Sequence, residues 1–125
     1  MANNFDNKDL TVSNNSLTDI YTASSKSMII AGTICNTGTT SLLISIKRYD
    51  ASGGAGFFKA KEHPLPVGSS YELPKIVLNT SDKLQVQSSS GSGLIDVGLE
   101  LLTGVAWVIL VLLLKVVLLL LQSSV

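Results

Sequence analysis

The residues able to do chemistry in this 125-residue chain are few and scattered. It has one histidine, His63, followed by Pro64, and one cysteine, Cys35, inside the apolar run SMIIAGTICN. A serine–histidine–aspartate set can be assembled on paper, yet no Gly-x-Ser-x-Gly elbow presents a nucleophile. His63 therefore reads as an exposed loop side chain, and Cys35 as a small buried hydrophobe. A lone cysteine allows no disulfide within the chain, which fits folding in a reducing compartment. Asp50, Asp82 and Asp96 stand singly, whereas a metal site needs clustered ligands. Asp82 reads as a turn former. Gly53-Gly54-Ala55-Gly56 and Gly91-Ser92-Gly93 open no helix and lack a Gly-Lys-Ser/Thr ending, so they read as flexible loops rather than phosphate cradles. Tyr49, Phe57, Phe58 and Tyr71 have the chemistry for a sugar-binding groove, but in a sheet protein such rings more commonly fill a core or an interface. The expectation is a non-enzymatic chain without catalytic residues, cofactor or metal.

Nine Lys and Arg balance nine Asp and Glu, and only 14% of residues are charged. No basic run is present, so a nucleic-acid partner is not expected. The polar start, Met-Ala-Asn-Asn-Phe-Asp-Asn-Lys, has no apolar h-region, so no secretory signal is expected.

The elements that would position these residues are strands. Short β-type segments, separated by turn residues every 8–12 positions or so, are the signature of an all-β domain. Leu17–Thr22 is the first. Ser27–Asn36 is apolar on both faces, as a strand in the middle of a sheet should be. After a turn at Asn36-Thr37-Gly38-Thr39, with Gly38 expected at positive φ, Ser41–Tyr49 puts Leu42, Ile44 and Ile46 on one face and Ser45 and Lys47 on the other. Phe57–Lys61 is a short strand, and Pro64 and Pro66 confine their segment to an edge or a loop. Pro74 interrupts Tyr71–Leu78, giving two short pieces or a bulge. Asn79–Asp82 is a tight turn. Lys83–Ser88 and Leu94–Leu101 alternate, with Leu84, Val86, Ile95, Val97, Leu99 and Leu101 inward. Seven or eight such strands make an antiparallel β-sandwich of jelly-roll or immunoglobulin-like kind. Residues 1–15, Asn/Asp-rich and aperiodic, read as an N-terminal arm, with the sandwich over 16–104.

Residues 105–125 form a separate apolar tail. From Val105 to Leu121 every residue is apolar except Lys115. No Gly, Pro, Asn or Asp breaks the run, so it reads as one helix about 25 Å long at 1.5 Å per residue. A single strand of that length would run about 56 Å. A helix apolar on every side is buried in a protein body or in a membrane. As a bilayer anchor, with Trp107 at one interface, its roughly 17 residues fall at the bottom of the spanning range. Lys115 at a bilayer centre would cost about 2.5–3.5 kcal/mol. A bundle of copies covered by neighbouring proteins needs no such cost, because Lys115 can face a carboxylate or the open rim. An aberrant sequence end is the third reading. The expectation favours burial among proteins, with Trp107, Ile109, Leu112, Leu113, Lys115, Val116, Leu119 and Leu120 as the assembly and anchoring residues.

Several short motifs carry a resemblance over residues 17–104. These are Ile20-Tyr21-Thr22, Asn36 ending the second strand, the Pro66-Val67-Gly68-Ser69-Ser70 turn, Ile76-Val77-Leu78, Asp82-Lys83-Leu84-Gln85-Val86 and Asp96-Val97. In order and spacing they resemble a family of small bacteriophage virion proteins, encoded among head, neck and tail genes and built as a compact β-sandwich. Ala23-Ser24-Ser25-Lys26 stands where that family has a Val-Pro-x-Gly turn, and the apolar tail is an addition beyond the family's usual end near Leu101. The resemblance implies a non-enzymatic structural part of a virion and does not say which part. With the sandwich pattern, the absence of chemistry and a tail that needs a protein cover, the leading expectation is a capsid cement or decoration protein. Its implied partners are further copies of itself, a trimer being one arrangement, and major capsid or other virion proteins. A neck, collar or tail-associated role is the nearest alternative. A tail-anchored membrane protein and a glycan-binding module, using Tyr71 or Phe58, are rivals from other classes.

Overall fold

The structure is a computed structural model that describes residues 4–90, 94–104 and 115–120. Alternation in the sequence becomes two faces per strand, and the apolar faces meet. Among the described residues nine strands form: β1 (Asn4–Val12), β2 (Thr18–Thr22), β3 (Ser27–Asn36), β4 (Leu42–Asp50), β5 (Ala55–Leu65), β6 (Ser70–Glu72), β7 (Ile76–Leu78), β8 (Lys83–Ser88) and β9 (Ile95–Thr103). One sheet runs β1-β9-β3-β6, with β7 also paired to β3, and the other runs β2-β8-β4-β5. Every pairing is antiparallel. Successive strands cross between the sheets except β4 and β5, which pair with each other, and β6 and β7, which together fill the place of a single strand. That order is a jelly roll, a double sheet of two Greek keys, rather than the immunoglobulin-like alternative.

The core lies between the sheets. Ile20, Ile29, Ile34, Ile44, Ile46, Leu84, Val86, Ile95 and Leu99 are buried there. Val12 closes it at the β1 side and Leu65 at the end of β5. Fully burying one such side chain contributes roughly 1.5–3 kcal/mol, so strand alternation decides which face turns inward. Gly32 marks the tightest approach. A Cβ there would lie 2.8 Å from Leu73 Cδ1 and 3.0 Å from the Gly98 carbonyl oxygen.

Prolines act as breakers in the expected places. Pro74 separates β6 from β7, and both pieces pair with β3. Pro64 lies in β5, an edge strand of its sheet. That strand is longer than the expected Phe57–Lys61. Two register shifts kink it, at Lys59 and at Lys61-Glu62, and Glu62 takes φ 49°. Bulges of this kind bend an edge strand away from uncontrolled pairing.

Two further local expectations differ from the structure. Residues 4–12, within the segment expected as an aperiodic arm, pair along their whole length with β9. Their side chains are exposed except Leu10 and Val12, so the backbone ladder holds the strand and leaves no hydrophobic period in the sequence. Gly38 is not at positive φ; the glycines that are, among the described residues, are Gly54, Gly68 and Gly104. The Asn36 side chain makes that turn instead. Its Oδ1 accepts from the Gly38 amide at 3.0 Å, while its Nδ2 donates to the carbonyls of Thr40 at 2.8 Å and Leu65 at 2.9 Å. Asn36 is buried, so those bonds fix the β3–β4 turn to the end of β5.

Candidate functional site

The reactive side chains stay apart. His63 is exposed on β5, opposite Ile44, with its ring edge-on to Tyr71 at 4.7 Å between centroids. Cys35 is half-buried rather than fully buried, because it lies on the outward pleat of β3 opposite Asp96. Among the described residues no group of three His, Cys, Asp or Glu side chains comes together as metal ligands would.

The aspartates each do local work. Asp82 is buried and accepts from the amides of Ala51 and Asn79, both at 3.0 Å, tying the β4–β5 turn to the β7–β8 turn. Asp50 closes its own turn: the Ser52 hydroxyl donates to it at 2.8 Å and, with the Gly53 amide, holds its carboxyl below the ordinary value. Asp96 accepts from the Thr11 hydroxyl at 2.7 Å. The aromatic residues do not line one groove. Phe58 stands opposite Lys47 on an outer face, whereas Tyr71 pairs with Ile34 and packs against the core.

What the tertiary structure does bring together is charge, sorted by sheet. In an antiparallel pair, residues directly opposite each other share a face. On the β1-β9-β3-β6 sheet, Asp9, Gly98, Thr33 and Glu72 form one outward row across four strands. The adjoining rows carry Asn7, Glu100 and Ala31 on one side and Thr11, Asp96 and Cys35 on the other. The middle of this face, at Gly98, is a shallow hollow of about 450 Å³ lined by Asp9, Glu72, Leu73 and Glu100, with Asp9 Oδ1 reaching in to 3.2 Å from where a Gly98 Cβ would stand.

On the β2-β8-β4-β5 sheet, the outward row is Asp19, Gln85, Lys47 and Phe58. The next row sets Lys83 beside Tyr49. Two lysines flank the Phe58 ring: Lys47 Nζ is 4.6 Å and Lys61 Nζ 5.3 Å from its centroid. Such cation–π contacts are worth about 0.5–1 kcal/mol at exposed sites. Asp19 accepts from Gln85 at 2.8 Å and from Lys83 at 3.1 Å. The Gln85 bond above all, helped by Lys83, holds its carboxyl below the ordinary value against the opposing effect of burial.

The third surface is apolar. Of the residues expected to anchor the protein, Trp107, Ile109, Leu112 and Leu113 lie outside the described residues. Lys115, Val116, Leu119 and Leu120 fall in the helical residues 115–120. Leu118, Leu119 and Leu120 are 58%, 65% and 64% exposed. Among the described residues no helix is long and apolar enough to cross a membrane.

Neither charged face announced itself in the sequence. Each strand's alternation shows which residues point outward, but Asp9, Glu72 and Glu100 are up to ninety-one positions apart. Only the pairing of β1, β6 and β9 around β3 gathers them.

No family model and no curated protein matches the chain. Among solved structures, it is similar to a pentameric capsid protein isolated from metagenomic phage sequences, at TM-score 0.44 and 16% identity over 78% of this chain and 59% of that one. It is also similar to a chain in a structure of the infectious bursal disease virus Gx strain, at TM-score 0.45 and 15% identity over 85% of this chain and 38% of that one. The chain thus spans less than two thirds of either protein's length. Likeness at this level says nothing of what the chain does.

Proposed function

We propose that this chain is a non-enzymatic structural protein of a virion, specifically a capsid cement or decoration protein that assembles with copies of itself and clamps neighbouring capsid subunits. The observation that carries the reading is the apolar surface of residues 116–120, at least half exposed outside a sandwich whose own core is already closed. An exposed run of large aliphatic side chains marks a surface that another body covers. Burial of each such side chain contributes roughly 1.5–3 kcal/mol, which is what a clamp between subunits needs. The jelly roll supports the reading by analogy of fold, since viral capsid domains and lectins both use it. The sequence resemblance over residues 17–104 favours the first over the second. So does the separation of Phe58 from Tyr71, which leaves a glycan no shared aromatic platform.

Cryo-EM of intact particles tests it. Hundreds of copies per particle on the shell are expected; a handful at one vertex would replace the cement role with a neck, collar or tail role. Deleting residues 105–125 is expected to abolish incorporation, and normal incorporation of the truncated chain would remove the tail from the mechanism. Retention of the full chain in the pellet after carbonate extraction of host membranes would replace the reading with that of an integral anchor.

A further inference from the structure

The two outer faces of the sandwich differ in charge: no base offsets the acids of one, while Lys47, Lys61 and Lys83 outnumber Asp19 and Glu62 on the other. Asp9, Glu72, Asp96 and Glu100 are all exposed on the outward rows of the β1-β9-β3-β6 sheet. No lysine or arginine shares those rows, because Lys8, the one base on these strands, stands opposite Leu99 on the other pleat. Among the described residues none of the four acids forms an ion pair, the recorded one being Lys83 with Asp19. On the opposite face Lys47 and Lys61 lie against the Phe58 ring instead of a carboxylate. The acids near them are Asp19, held by Gln85 and Lys83, and Glu62, beside Ser45 at the bulge of β5.

Shape follows the same division. The acidic face is dented over Gly98, with carboxylates around the rim. The basic face has a knob, Phe58, 47% exposed and flanked by two ammonium groups. Like charges gathered on one face repel, and a partner of opposite sign relieves that repulsion while guiding the approach. The full chain has zero formal net charge, so copies do not repel one another at long range, and each carries both halves of the match.

We propose that copies of this chain dock head to tail, the Phe58–Lys47–Lys61 knob of one entering the acid-rimmed hollow over Gly98 of the next. The inference deepens the assembly reading above, and rests on it in requiring a homo-oligomer; it names the surfaces that make one. Phe58 fills the hollow beside Leu73, and the two lysines reach Asp9, Glu72 and Glu100 on its rim. Because the two faces lie on opposite sides of the sandwich, each copy that uses one leaves the other open. Such a heterologous contact closes into a ring or extends as a filament, depending on the rotation between copies. A nucleic acid fits the lysine face less well, since Asp19 and Glu62 interrupt its positive charge.

Sedimentation velocity of the full chain at about 50 mM and about 500 mM salt separates this contact from association through the apolar tail, because screening weakens only the charged one. Lys47→Glu with Lys61→Glu, and separately Asp9→Lys with Glu100→Lys, are each expected to weaken low-salt association about tenfold or more. An equimolar mixture of the two variants is expected to recover pairing, since the acidic face of the first and the lysine knob of the second are both unaltered and can meet. All four positions point outward, so circular dichroism and melting temperature should match the parent. If a reversal unfolds the chain, Lys47→Gln with Lys61→Gln is expected to weaken association about threefold. Reversed variants that associate like the parent, or a mixture that does not recover, overturn the proposal. So does a single-stranded DNA oligonucleotide that binds the parent and not the Lys47→Glu, Lys61→Glu variant while association between copies is unaffected. The two readings fail separately: the virion reading falls if charge-dependent association is found but the chain is absent from particles, and the docking reading falls if particles incorporate a chain whose association ignores the reversals.

Discussion

The sandwich and the helical residues 115–120 draw on the same aliphatic side chains and put them in opposite surroundings. Ile29, Ile44, Ile46 and Leu84 are each 0% exposed, whereas Leu119 and Leu120 are 65% and 64% exposed. Alternation gives a strand an inside and an outside, so two sheets facing each other can bury every apolar row within one chain. A helix apolar on all sides has no polar face to leave in water. The sandwich buries its inward rows; residues 116–120 are at least half exposed. On the function proposed above, the first region is scaffold and the second contact.

If that division holds, truncations should act differently in the two regions. Leu99→Ala and Ile44→Ala are each expected to lower the unfolding free energy by about 2–5 kcal/mol, through lost burial and a residual cavity. Leu119→Ala should leave it within about 0.5 kcal/mol, as for other exposed positions. Urea unfolding followed by far-ultraviolet circular dichroism compares them. A loss for Leu119→Ala as large as for Leu99→Ala would mean that residues 115–120 belong to the core.

Two changes inside the sandwich sharpen the contrast at intermediate size. Asn36→Leu removes the donor to the Thr40 and Leu65 carbonyls and is expected to cost about 1–3 kcal/mol, since buried acceptors are then left without partners. Gly32→Ala drives a methyl against Leu73 and the Gly98 carbonyl, with an expected cost of about 1–3 kcal/mol. Thermal melts of both variants beside the parent provide the check, and an unchanged melting temperature for either would contradict the packing described at that position.

The smallest effect belongs to the exposed face. Asp19 has its carboxyl pKa lowered from 3.8 in the folded chain. Its stabilising contribution is therefore fully present above the ordinary carboxylate value and fades as the pH falls through the lowered one. Asp19→Asn should shift the melting temperature slightly at neutral pH and converge with the parent in strong acid. A difference that widens with acid would reverse the sign of the Asp19 contribution.

Much of the scaffold was legible from period and punctuation. Ser27–Asn36 and Lys83–Ser88 have the boundaries their patterns predict, and Pro74 splits its segment as a residue without an amide hydrogen must. β1 was not legible, because a strand held by its backbone ladder and exposed along most of its side chains has no hydrophobic period to read. The half-burial of Cys35 was hidden for a related reason. It is the outward residue of a central strand, and an apolar run does not say which of its two faces is covered.

By itself the sequence determined an antiparallel sandwich and an apolar run after it, because alternation, turn residues and an aliphatic stretch are local properties. Only the tertiary structure decided that the sandwich is a jelly roll and that its two outer faces differ in charge. Both depend on which strands lie side by side, and that is set by contacts between residues distant in sequence: Asp9 meets Glu72 across one sheet through Gly98 and Thr33, and Lys47 meets Phe58 across the other.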